Sequence, residues 1–353
     1  MAGRPAAGTQ TAAARPSPRE ERRRMSDATT TRDPADLDTQ LERHRVELTA
    51  YCYRMLGAAS DAEDAVQDTM VRAWRAYDRF EGRSSLRSWL YRIATNVCFD
   101  MLNGKQRRAR PMDLGPAKTA DAPLAPPRPE ATWLEPMPDG RVIPSDGDPE
   151  SQVIARESVR LAFVAALQHL PARQRAVLIL REVLRWPASE VAELLDTTVA
   201  SVNSALQRAR ATLETSGISD TDPVAPLDPG QRELLARYVD AFERYDLDTL
   251  VTLLSEDVKQ SMPPFEMWLV GPGEVRAWML GPGAACRGSR LVPLVANGAP
   301  AYGQYKPSGP GGRLEPWAIH VLEIEDGRIV GLNFFLDTET LFPIFGLEAR
   351  LDV

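Results

Sequence analysis

The sequence predicts a multidomain protein: two all-α helical domains, the second with a helix-turn-helix, joined by a Pro-rich linker and followed by an α+β domain. Three observations predict it. At 353 residues the chain exceeds the ~100–200 residues that one domain usually holds. Apolar residues recur with helical period over residues 37–110 and 150–215, with a proline-dense stretch between. Beyond residue 230 short segments bounded by Gly and Pro take over, and Asp326-Gly327 between β-rich runs signals a hairpin.

Residues 1–36 are rich in Ala, Pro, Thr and Arg without an apolar period, and read as a disordered tail in which Met25 is an alternative start. Residues 37–110 form the first helical domain, with breaks at 57–60 and 81–84. Residues 111–149 hold ten prolines, seven acids, three bases and one aromatic, Trp133, so an extended, net-negative, flexible linker is expected. Residues 150–215 form the second helical domain, where Pro171 and Pro187 each open a helix. Residues 216–229 are a second linker, and 230–353 the α+β domain, with strands over Trp317–Glu325 and Arg328–Asp337.

Composition excludes several classes. Cys52, Cys98 and Cys286 lie far apart, which rules out a disulfide scaffold and the usual zinc spacings and fits a reducing cytoplasm. No window resembles a membrane span, and no phosphate-cradling glycine loop or hydrolase elbow occurs. No cofactor or metal is implied. The net charge of −7 argues against nucleic acid only if evenly spread, and it is not: from Arg83 to Arg110 seven basic residues face one acid.

Three segments carry chemistry. In 61–77 an apolar stripe (Ala62, Val66, Met70, Ala73, Trp74, Tyr77) lies beside an acidic one (Asp61, Asp64, Asp68), which on its own suits a capped, solvated face. In 84–100 a Ser cap and an inward stripe (Leu86, Leu90, Ile93, Val97) leave Arg87, Arg92 and Asn96 on other faces. Basic charge interleaved with Trp89, Tyr91 and Phe99 suits phosphates and unstacked bases as well as an ordinary core. Residues 187–213 have the helix-turn-helix arrangement, with Val191, Leu195, Val202 and Leu206 inward and Asp196 at the turn, where Asp tolerates the left-handed conformation. Its second helix offers Ser201, Asn203, Ser204, Gln207, Arg208 and Arg210 to base edges and phosphates.

Together, residues 41–110 and 150–215 resemble the extracytoplasmic-function (ECF) RNA polymerase sigma factors, on Asp61–Trp74, Ser84–Asp100, the run Leu170–Glu182 and the helix-turn-helix. The resemblance implies a transcription initiation factor without catalysis of its own, whose partners are core RNA polymerase (its beta and beta-prime subunits) and promoter DNA. It gives Asp61, Asp64, Gln67 and Asp68 to a basic coiled coil on the polymerase clamp. The minus-ten strand falls to Arg83, Ser84, Ser85, Arg92, Asn96, Arg107 and Arg108, and the minus-35 duplex to Thr198, Ser201, Asn203, Ser204, Gln207, Arg208 and Arg210. Base extrusion costs a few kcal/mol, which contacts to the flipped base must offset.

The tail, 230–345, resembles a SnoaL-like domain, a cone-shaped α+β fold around a pocket. That implies a regulator acting in cis, with a small ligand as a subsidiary partner. The rival reading is an isomerase- or cyclase-type enzyme. Asp257, His320 and Asp337 are its acid/base candidates, and Trp268, Trp278, Trp317 and Phe334 the candidate lining.

Overall fold

The computed structural model describes residues 34–82, 84–145, 148–214 and 228–351. The chain divides into two compact units at Arg43/His44. The first contains helix α1 (Pro34–Glu42), which begins inside the stretch expected to be disordered, with Pro34 at a position where its missing N–H costs nothing. Met25 and the second linker up to residue 227 lie outside the described residues.

The second unit opens with α2 (Arg45–Leu56), α3 (Ala59–Ala76) and α4 (Leu86–Leu102), packed on one another around Leu48, Tyr51, Met55, Val66, Leu90 and Val97. Gly57 ends α2 in the left-handed conformation that only a missing Cβ makes easy, and Ser85 caps α4 by accepting from the Ser88 amide. After α5 (Asp139–Val142) and α6 (Pro149–Glu157) comes the second helical domain: α7 (Leu161–Leu167), α8 (Ala172–Leu178), α9 (Ala188–Leu194) and α10 (Val199–Glu214). Asp196, φ +49°, makes the left-handed turn between α9 and α10.

The third domain contains α11 (Pro229–Arg244), α12 (Leu247–Thr252), β1 (Leu254–Ser261), β2 (Trp268–Val270), α13 (Pro272–Leu280), β3 (Arg290–Ala296), β4 (Ala299–Pro307), β5 (Leu314–Glu325), β6 (Arg328–Phe335) and α14 (Thr338–Ile344). Its six strands run in the order β2-β1-β6-β5-β4-β3, with β1 parallel to β6 and the other pairs antiparallel. Alternation gives the sheet two buried faces. Val258, Tyr302, Leu322 and Leu332 pack with α11 and α13. Ala301, Ile319, Val321 and Phe335 pack with Leu341 and Phe342 of α14 and with Leu161 from the second helical domain.

That shared core corrects the expectation of separate modules on a flexible strap. The segment 111–149 lies along the domains, with Trp133, Leu134 and Met137 at most 3% exposed. Its backbone is bonded at many points. Ala109 and Leu134 exchange bonds with Thr132 and Ala109, Glu135 N–H donates to Gly57 O, Lys118 N–H to Trp268 O and Arg128 N–H to Pro264 O. Composition misses this because a few apolar residues, placed against three neighbours, bury enough to offset ordering of a chain that prolines have already stiffened.

The helical domains also touch directly. The Arg54 guanidinium, 3% exposed, donates to Ser158 O and Oγ at 3.1 and 2.7 Å, and Arg175 donates to Met55 O and to Gln168 Oε1. Burial lowers both arginines to about 10, so both stay charged at neutral pH.

The hairpin tip between β3 and β4 is the meeting point. Asn297 (φ +57°) and Gly298 (φ +71°) form the tight turn, and Asn297 is 1% exposed. Its Nδ2 donates to Tyr53 Oη and Val159 O, both at 2.6 Å, while its Oδ1 accepts from Met137 N at 2.9 Å. One side chain thereby bonds both helical domains and the linker. Asp139 Oδ1 accepts from Gly298 N at 2.8 Å.

Burial pushes the Asp139 carboxyl up from 3.8 to about 6, against the bond from Gly298 and the nearby Arg156 charge. An acid raised by folding adds stability that is complete below about pH 4 and fades as pH rises through about 6. Asp139→Asn keeps the acceptor without the charge. Denaturant unfolding should show it equal to the parent near pH 4 and more stable by about 1–2 kcal/mol at pH 7.5; a difference independent of pH would refute the assignment.

Candidate nucleic-acid interface

Helix α3 presents the acidic face, but its four candidate residues separate. Asp64 and Gln67 are exposed, and Asp68 pairs with Arg72 at 2.8 Å. Asp61 is turned inward, 2.7 Å from Arg108 and 3.5 Å from Lys105. Two residues join the outer face instead: Val71 and Trp74, 39% and 56% exposed. Trp74 thus leaves the inward stripe assigned to it, because the adjacent Ala73 and Met70 already fill the space against α2 and α4. Asp64, Gln67, Val71 and Trp74 follow one another at helical spacing and form a continuous exposed strip, acidic at one end and aromatic at the other.

Arg108 shows the strongest departure from the sequence expectation. It is 8% exposed and donates to Asp61 Oδ2 and Trp133 O, both at 2.7 Å, with Glu135 Oε1 at 3.4 Å. Glu135, also 8% exposed, accepts from Ser60 N and Oγ. Burial raises its carboxyl, with the Arg108 charge and the Ser60 bonds opposing. Arg108 therefore holds the linker to α3 and offers no surface to a DNA strand, whereas its neighbour Arg107 is exposed, 2.6 Å from His169 Nδ1.

Of the other minus-ten candidates, Arg83 lies outside the described residues, Ser84 is half-buried, Ser85 is committed to its cap and Asn96 is exposed. Beside them Phe80 and Trp89 lie 4.8 Å apart, with Tyr77 6.2 Å from Phe80, a half-buried aromatic group suited to stacking. Arg92 donates to Glu193 O at 2.8 Å, so a candidate DNA contact on α4 is engaged by the first helix of the helix-turn-helix. Tyr91 and Trp186 meet at 4.9 Å next to it, with Arg87 5.1 Å from both rings.

Thr198, just before α10, and Ser201, Asn203, Ser204, Gln207, Arg208 and Arg210 on it are exposed, while Val202, Ala205, Leu206 and Ala209 are buried on the other side. Thr198 Oγ1 accepts from Ser201 N, and Arg210 pairs with Glu182 at 2.6 Å. The helix can enter a major groove with five neutral polar side chains and two cationic ones.

The third domain disperses its acid/base candidates. Asp257 is exposed and bonded to Ser255, and Asp337 caps α14 by accepting from Thr340 N. His320 is fully buried, paired through Nε2 with Gln304 Oε1 at 2.8 Å and through Nδ1 with the Tyr238 hydroxyl at 3.2 Å, and burial lowers it to about 3. It stays neutral at physiological pH. Trp278, Trp317 and Phe334 line one cavity; Trp268 is elsewhere, its Nε1 donating to Gly115 O of the linker.

An acidic docking helix, a basic aromatic helix and a helix-turn-helix, in that order, describe a promoter-specificity subunit of the sigma-70 kind. Residues 41–108 match Sigma-70 region 2, 160–213 match Sigma-70, region 4, and 235–332 match the SnoaL-like domain. The chain is 46% identical over 328 residues, 91% of its length and 87% of the other's, to ECF RNA polymerase sigma factor SigG of Mycobacterium tuberculosis. It is 26% identical to the probable ECF RNA polymerase sigma factor SigI of that organism, covering 85% of this chain and 93% of the relative. The crystal structure of M. tuberculosis SigJ, an extracytoplasmic function sigma factor, shares the fold with a TM-score of 0.57, over 88% of this chain and 99% of that one at 24% identity. The chain belongs to the ECF RNA polymerase sigma factors, which supply specificity to polymerase and are not enzymes.

The two adjacent arginines should separate by experiment. Arg108→Ala leaves Asp61 with only the more distant Lys105 and the buried Glu135 with only its Ser60 bonds, and should lower stability by about 3 kcal/mol. Arg107→Ala should leave the unfolding midpoint within about 0.5 kcal/mol and weaken binding of single-stranded promoter DNA by holoenzyme. Equal effects on unfolding would contradict the assignment.

Proposed function

We propose that this sigma factor is held in a closed, DNA-incompetent state by its own C-terminal domain, and that initiation requires the two helical domains to part. The observation that carries the reading is the packing of α9 against α4 through Arg92–Glu193 and Tyr91–Trp186, together with the Asn297 bonds to both helical domains. Elements about 25 base pairs apart lie roughly 85 Å apart along a straight duplex. Domains in direct contact cannot read both at once.

In the open state the strip Asp64–Gln67–Val71–Trp74 docks on the beta-prime clamp, and region 4 meets beta. Arg107, Asn96 and a released Arg92 hold the minus-ten strand beside the Phe80/Trp89 aromatics, and α10 reads the minus-35 duplex. The protein works in the cytoplasm, where polymerase is; among the described residues no helix is long and apolar enough to cross a membrane.

Asn297→Ala removes the shared bonds and leaves Tyr53, Met137 and Val159 groups short of partners. That should destabilise the closed form by about 2–4 kcal/mol. Promoter-dependent run-off transcription with core enzyme at limiting factor should rise several-fold, with a smaller Förster distance change on holoenzyme assembly. Transcription unchanged or reduced in a folded variant would overturn control by closure, while absence of initiation with the parent protein on any genomic promoter would overturn the polymerase role itself.

A further inference from the structure

We propose that Val199 is a specificity-determining residue, contacting the C5 methyl of a thymine in the minus-35 duplex, while Asn203 reads an adenine about two base pairs away. This rests on the promoter role proposed above and names the bases that α10 selects. Val199 opens α10 and is 44% exposed, at the margin of the polar side and past the end of the core that takes in Val202 and Leu206. Helix propensity does not account for a valine there: α10 is rich in alanine, and a β-branched residue is a poorer helix former.

The surroundings of Val199 suit a groove. Thr198 Oγ1 accepts from Ser201 N at 3.1 Å and so fixes the start of the helix, and the N-terminal residues of a recognition helix are those that reach base edges. Ala200 and Ser204 are exposed and small, so no long side chain there holds the helix away from the duplex. Asn203 and Gln207, both exposed, follow Val199 at intervals of four, which puts the three side chains within an arc of about 80°. In the major groove an amide pairs with adenine N6 and N7, and an apolar side chain with the thymine methyl, the one apolar group that a base pair presents there. The rise from Val199 to Asn203 is about 6 Å, or about two base-pair steps.

Reading guanine would call for a cation on the same arc. Arg210 shares the arc but is paired with Glu182 at 2.6 Å, and Arg208 lies towards the opposite margin of the exposed side, where it suits a phosphate. The arc therefore offers a methyl contact and two amides. That combination fits A·T pairs and disfavours G·C, whose major-groove edge carries no methyl.

The test uses holoenzyme assembled from the full chain and core polymerase, selecting from promoter duplexes randomised across the minus-35 element. Thymine and adenine should be enriched about two positions apart. Each selected thymine is then replaced in turn by deoxyuridine, which removes only the methyl and keeps the pairing. At one position the parent should lose about fourfold in affinity, the worth of one methyl group taken out of water. Val199→Ser should lose a similar factor on thymine, show no further loss on uracil and melt like the parent. Asn203→Ala should relax the adenine preference by about fivefold or more. Uracil tolerated at every position by the parent, or a Val199→Ser variant as sensitive to uracil as the parent, overturns the role of Val199. An adenine preference unchanged in Asn203→Ala overturns that of Asn203. A parent holoenzyme that selects no minus-35 sequence at all overturns the promoter role itself, so the two failures are told apart.

Discussion

The arrangement depends on one buried side-chain amide. Asn297 sits where a two-residue turn forces left-handed backbone, which Asn accepts at little cost, and there it spends both donor and acceptor on three different parts of the chain. A buried amide is costly unless it is satisfied, so the tip is stable only when both helical domains and the linker are in place together. Cooperation among the domains follows from that requirement. The two buried arginines, Arg54 and Arg175, act similarly between the helical domains: each is charged, dry and dependent on carbonyls of its neighbour.

The linker is the second element of this logic. Its acidic, proline-rich composition suits a chain that can run extended once released, yet here it is bonded along most of its length. Arg108 and Glu135 fasten one end to α3, Met137 and Asp139 the middle to the hairpin tip, and Arg128 pairs with Glu266 of the third domain. These polar attachments flank the apolar anchors Trp133, Leu134 and Met137. Polar contacts of this kind exchange more readily for water than does the core shared by Leu161 and the sheet.

Much of the fold was legible in the sequence, because it depends on period and turn chemistry. The Ser85 cap, Asp196 at the helix-turn-helix corner and the Asp326-Gly327 hairpin are local signals read correctly. Asn297-Gly298 carries the same hairpin signal and was open to the same reading, but its three bonding partners lie 138 to 244 residues away in sequence. Arg107 and Arg108 look alike in a basic run. Only the distant Asp61 and Glu135 send one of them inward. A helical wheel places Trp74 with Ala73 and cannot tell which of two neighbours a crowded interface will accept.

In the closed state proposed above, fusion of the C-terminal domain to the chain it would restrain changes the kind of equilibrium involved. A separate inhibitor is diluted as cells grow and titrated as its target accumulates; the hairpin tip carrying Asn297 is always present at one copy per factor and at the high effective concentration of a tethered group. The fraction released is then independent of expression level, so making more of this protein scales output without altering the threshold for its release.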